Sequence, residues 1–195
     1  LTGEPNDVTA WDALFRHFNR TRGLGDVGYL SGEKVAVKIN MNQDSGGTWS
    51  ATAGMPSPQM LYAVVDQLIN VAGVPGEAIA IYDAARYIGD PLVNKIRGNP
   101  APDFQRVTFV VRPNLVRSGR VAAQRYTAAP IRFSNGRAEA TVPHCAGEAK
   151  YLINMALLRA HSLFGVTACG KNHFGSVHFA STSSNGGWTP APIHD

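Results

Sequence analysis

The chain opens on a helical pattern. Trp11, Leu14, Phe15 and Phe18 recur on one face between Thr9 and Arg20, with Thr9 as the expected cap and Asp12 three residues beyond it. Gly23, Gly25 and Gly28 break the pattern. Apolar and polar positions then alternate from Glu33 to Asn40, which predicts a strand with Val35, Val37 and Ile39 on one face and Lys38 and Asn40 on the other. A polar, Gly-rich loop from Met41 to Met55 follows. Ser57 caps a second helix, Pro58 sits at its first turn, and Leu61, Val64, Val65, Leu68, Ile69 and Ala72 form its apolar stripe up to Gly73. Ala78 to Tyr82 is a short apolar run closed by Asp83, the pattern of a buried strand. A short helix over Pro91–Arg97 and a third strand over Val107–Val111 complete the series.

Strand, helix, strand, helix, strand in this order predicts an α/β fold: a mainly parallel, Rossmann-like sheet with flanking helices and right-handed crossovers. The helical period is lost from Pro113 to Pro143. Asn135-Gly136 is a strong two-residue turn signal, so an inserted β-hairpin is expected over 113–143. Tyr151–Met155 is read as a returning core strand and Leu157–His161 as a short helix. The Ser-, Gly- and Pro-rich end beyond Ser181 has the texture of an unfinished loop, so residues 1–195 are expected to form one domain cut from a longer chain.

Composition changes this picture little. A chain of 195 residues, 44% hydrophobic, can bury one sizeable core. No run approaches the roughly 18 apolar residues of a membrane helix. Cys145 and Cys169 leave a single bridge, two thiols or two metal ligands open. Charge is more informative. Arg112, Arg117, Arg120, Arg125, Arg132 and Arg137 lie in a stretch with no acidic residue, in a protein of net charge +4. A polyanion-binding module is one reading of that stretch. Arg stems covering apolar surface is the simpler one, since no nucleic-acid motif accompanies it.

The candidate chemistry concentrates between His161 and His178. Cys169, Lys171, Asn172 and His173 lie within it, and His144, Cys145 and His194 lie outside. These residue types ligate metals, relay protons or activate nucleophiles. The five-residue gap between His173 and His178 suits neither a helical nor a strand pair, which weakens a metal site. A lysine and an amide followed by Gly175 can hold an anionic or carbonyl oxygen. Lys38, Asn40 and Asp83 fall at strand ends, where open α/β sheets bind ligands. Neither a dinucleotide nor a P-loop pattern is present, nor a G-x-S-x-G elbow.

Five blocks resemble, in order, the domain-of-unknown-function 362 family. They are Val35–Met41, Ser57–Gly73, Ile79–Asp83, Tyr151–His161 and Val166–Gly175, the last carrying Lys171-Asn172 and Phe174-Gly175. In the fourth block Arg159 stands where lysine is usual in the family. The resemblance implies an α/β protein, often exported or periplasmic, with no assigned activity. Some relatives are fused to iron–sulfur modules, but this chain lacks the cysteine pattern for a cluster.

The expectation is an enzyme-like protein binding a small anionic or carbonyl-containing ligand at the sheet's carboxyl edge. Lys171, His173 and His161 are its expected catalytic residues, and Lys38, Asn40, Asp83 and Asn172 its ligand-binding ones. Besides the polyanion-binding module, the alternative is a metal- or redox-linked binding module using the His/Cys cluster of His144, Cys145, His161, Cys169, His173 and His178, with Cys169 and His178 as the expected ligands of a transition metal.

Overall fold

The computed structural model describes residues 2–42, 44, 49–132, 139–161 and 165–179. Helix α1 (Asp7–Thr21) starts earlier than its apolar stripe predicts, because Asn6 and not Thr9 is the cap. The Asn6 side chain accepts the Thr9 N–H at 3.0 Å, while the Thr9 hydroxyl donates back to the Asn6 carbonyl. Strand β1 (Val35–Ile39) is buried along its whole length. Helix α2 (Pro58–Asp66) has the expected Ser57 cap, then widens into a π-helical turn over Gln67–Val71. Gly73, at φ +70°, supplies the left-handed conformation that ends it.

β2 (Ile79–Asp83), α3 (Asp90–Arg97), a further short helix α4 (Pro102–Arg106) and β3 (Thr108–Val111) follow. The region after β3 contains the expected hairpin and also contributes a strand to the main sheet. Its first strand, β4 (Val121–Ala122), joins the main sheet in parallel beside β3. β5 (Ile131–Arg132) and β6 (Glu139–Thr141) pair as an antiparallel hairpin. The Asn135-Gly136 turn lies outside the described residues. Helix α5 (His144–Gly147) leads to β7 (Tyr151–Met155), which pairs in parallel with β1.

Leu157–His161 is not a helix. Arg159–His161 forms β8, antiparallel to β9 (Gly165–Thr167). A short helix α6 (Cys169–Asn172) runs into a 3-10 turn, and β10 (His178–Phe179) pairs with β6.

The described part of the central sheet has the order β4-β3-β2-β1-β7, all parallel. The chain moves outward from β1 through β4, then returns to β1's other side with β7. The order therefore reverses between β1 and β7, where open α/β sheets form a ligand crevice. Alternation in β1 separates two packed faces. Val35, Val37 and Ile39 face a core with Leu61, Val65 and Leu68 of the α2 arm, each fully buried and worth roughly 1.5–3 kcal/mol. Ala36 joins Tyr82, Ala84 and Val110 on the opposite face, against Cys145 and Ala146 of α5. Lys38 lies on that second face, at the carboxyl end of the sheet.

Among the described residues no helix is long and apolar enough to cross a membrane. Within the arginine-rich stretch, Arg117 and Arg120 are taken up in packing. Arg120 is buried, its guanidinium donating to the Ile88 carbonyl and to Asp90, and Arg117 and Arg120 both cover the Tyr87 ring. Arg137 lies outside the described residues.

Candidate functional site

A lysine on the inner face of a central strand is a costly choice unless its charge is compensated. Lys38 Nζ is fully buried and donates to three acceptors: Asp83 Oδ2 at 3.1 Å, the Ile39 carbonyl at 2.6 Å and Asn172 Oδ1 at 3.2 Å. Three acceptors match the three N–H bonds of an ammonium group. Burial pulls Lys38 below the usual lysine range, and the charge of Asp83 opposes that pull. The carboxylate has further duties. Asp83 Oδ2 accepts the Met41 N–H at 3.0 Å and Oδ1 the Ala85 N–H at 3.1 Å. One buried side chain thus fixes the exits of both β1 and β2.

The segment after β9 closes over this ion pair. Asn172 Nδ2 donates to the Lys38 carbonyl at 3.2 Å and to Asn154 Oδ1 at 2.8 Å. Asn154, on β7, in turn donates to the Cys169 carbonyl at 3.0 Å and to His173 Nε2 at 3.1 Å. The Gly175 carbonyl accepts the Ala84 N–H at 2.9 Å. Gly175 is required by proximity: a Cβ there would sit 2.4 Å from Asp83 Oδ1 and 2.8 Å from Lys38 Nζ.

Beside this closure lies a cavity of about 370 Å³ at the carboxyl ends of β1 and β2. Its wall combines Asn40, Asp83 and Asn172 with Arg86, Arg159, His161 and Lys171, and Phe174 adds an aromatic face. Strand alternation puts Arg159 and His161 on one face of β8. Arg86 is braced by the Asn42 carbonyl and amide oxygens at 3.3 and 3.2 Å. The Arg159 guanidinium packs on Gly54, whose φ is +63° and where a Cβ would lie 3.1 Å from Cζ. Lys171 Nζ contacts His161 Nε2. A protonated lysine has only donors, so this bond needs an unprotonated Nε2 on a neutral imidazole. Asp83 is the one acidic wall residue among those described, and Lys38 already neutralises it.

The structure thus brings Asn40, Asp83, His161, Lys171 and Asn172 to one cavity. Lys38 and His173 sit behind its wall, where they position Asp83, Asn172 and Asn154. Cys169 is exposed at the start of α6, whereas His178 is buried in the small sheet beside Thr141. Among the described residues no group of three or more His, Cys, Asp or Glu side chains is arranged to hold a metal ion. Both cysteines are free thiols, and burial pushes Cys145 up to about 12, far from the thiolate a metal requires. His194 lies outside the described residues. Sequence reasoning missed Arg86, Arg159 and Asn154 as site residues. A helix predicted over Leu157–His161 hid the alternation that pairs Arg159 with His161. Asn154 carries no signal beyond its place at the end of an apolar strand.

Burial lowers His173, with a further push from Lys38, and lowers His178, with a push from Arg125. The unfolded chain, whose histidines titrate near 6.5, therefore takes up protons that the folded histidines refuse. Stability present above pH 6.5 is lost as the pH falls below it. The midpoint of thermal unfolding will drop between pH 7.5 and 5.5, and His173→Gln will reduce that drop. The carboxylates held low by their partners, Glu33, Asp90 and Glu148, titrate below this window. A midpoint that does not move over this range would contradict the assignment.

The sheet order and the cavity at the carboxyl ends of β1 and β2 define the class: a parallel α/β protein with a basic crevice at the carboxyl edge, bordered by the Lys171–Gly175 segment. Residues 35–188 match the family described as "Domain of unknown function (DUF362)", and the chain belongs to that family. No curated protein and no solved structure matches it.

Proposed function

We propose that the protein binds a small anionic, carbonyl-containing compound in this cavity and acts on it through Lys171 and His161. The observation that carries the proposal is the charge imbalance of the wall. Arg86, Arg159 and Lys171 face a space whose one described carboxylate, Asp83, is already paired. A basic pocket of this kind favours an anion, and charge-assisted hydrogen bonds are worth about 1.5–3 kcal/mol each. The volume suits a compound of metabolite size. Asn40 and Asn172 supply amides to orient it.

Calorimetry with pyruvate, 2-oxoglutarate, succinate and inorganic phosphate tests the reading. At least one of these anions will bind saturably. Lys171→Ala and Arg159→Ala will each weaken it at least tenfold, the equivalent of about 1.4 kcal/mol. Lys95→Ala, which alters a lysine over the Tyr62 ring of the α2–α3 pair, will leave binding unchanged. Binding by none of the four, or binding indifferent to both cavity variants, would rule the reading out.

A further inference from the structure

From the Lys171–His161 pair we infer that Lys171 is an amine nucleophile that forms a Schiff base with a 2-oxo acid. The inference rests on the reading of the cavity as an anion site and names the substrate class and the bond made there.

Three observations converge on it. First, of the five lysines, Lys171 is the one whose side chain lines the cavity. Lys38 is fully buried with all three N–H bonds committed. Lys34 and Lys150 pair with Glu148 and Glu33, and Lys95 lies over Tyr62. Second, the Lys171 amine contacts His161 Nε2, so a proton acceptor stands beside the nitrogen that must lose a proton before it can attack. Third, Arg159 lies two residues before His161 on the same face of β8, which separates their Cα atoms by about 7 Å. Among the described residues Arg159 makes no hydrogen bond or ion pair, and its planar guanidinium suits a carboxylate. A ligand whose carboxylate meets Arg159 and whose adjacent carbonyl meets Lys171 is a 2-oxo acid.

The step balances with no oxidant or reductant. His161 Nε2 takes one proton from the Lys171 ammonium. The freed nitrogen lone pair forms a bond to the carbonyl carbon, and the π pair moves to oxygen, which receives a proton from the same nitrogen. The resulting carbinolamine expels its hydroxyl as water, using the proton held on His161. The nitrogen lone pair then completes the C=N bond, leaving an iminium with a neutral imidazole beside it. Arg86 and Arg159 hold the carboxylate throughout.

The test is trapping with sodium cyanoborohydride, which delivers hydride to an iminium. The whole chain is incubated with pyruvate or 2-oxoglutarate, and intact mass and peptide mapping locate the adduct. One stoichiometric adduct on Lys171, absent from Lys171→Arg, is expected. His161→Gln keeps a side chain that can bond the amine but cannot take up its proton, and it will slow trapping at least tenfold. Calorimetry with lactate and succinate, which lack a 2-oxo group, runs in parallel. If these carboxylates bind while no adduct forms on Lys171, the Schiff base is overturned and the anion site stands. Adducts scattered over Lys34, Lys95 and Lys150 overturn it equally. If phosphate binds but no carboxylate does, the Schiff base alone is overturned; if neither phosphate nor any carboxylate binds, both readings fall together.

Discussion

Lys38→Met will destabilise the protein by about 3–5 kcal/mol, the usual cost of removing one partner of a buried ion pair. Lys38 Nζ is fully buried and its partner Asp83 nearly so. Without the ammonium the carboxylate keeps its two backbone N–H bonds, from Met41 and Ala85, but loses its counter-charge. The Ile39 carbonyl and Asn172 Oδ1 lose a donor at the same time. Urea unfolding at pH 7.5 measures the loss. Lys38→Met combined with Asp83→Leu will recover part of it, since an apolar pair removes both buried charges. A single variant that loses less than about 1 kcal/mol would show that the pair does not hold this edge of the sheet together.

Gly175→Ala will cost about 1–3 kcal/mol, the range for forcing extra atoms into a packed site. The added methyl would lie 2.4 Å from Asp83 Oδ1 and 2.8 Å from Lys38 Nζ, both tied by hydrogen bonds in the buried network. Relief requires lifting the Lys171–Gly175 segment, which strains the bond from Ala84 N–H to the Gly175 carbonyl. Anion binding in the cavity will weaken in the same variant, because Lys171 and Asn172 ride on that segment. Gly170→Ala is the matched control, since a Cβ there meets nothing within 4 Å. Equal stability of the two variants, measured by urea unfolding, would refute the close approach.

Much of the parallel sheet was readable in the residue pattern because its causes are local. β1 alternates, β2 is a short apolar run, and Ser57-Pro58 starts α2 whatever lies around it. The same locality explains the errors. β4 and β8 are short strands of two and three residues, too brief for a period to register. Each exists because a partner strand supplies the missing hydrogen bonds. Asn6 displaced Thr9 as the first helix's cap because both residue types can accept the same orphan N–H.

For the site, residue types, strand-end positions and the family resemblance together marked out Lys38, Asp83, Lys171, Asn172 and the histidines around them. Residue chemistry is a property of the chain, and so is the end of a strand. Which of those residues face a ligand is not, because it depends on contacts between segments far apart in sequence. Lys38 and Asn172 meet across 134 positions, and that contact turns the lysine inward as a brace. His173 is held by Asn154 behind the cavity wall, while His161 meets Lys171 in front of it. Arg86 and Arg159 join them only because the end of β2 and the β8–β9 hairpin converge at the carboxyl edge of the sheet. Pattern determined which residues could do chemistry, and packing at the carboxyl edge decided which of them stand together around a ligand-sized space.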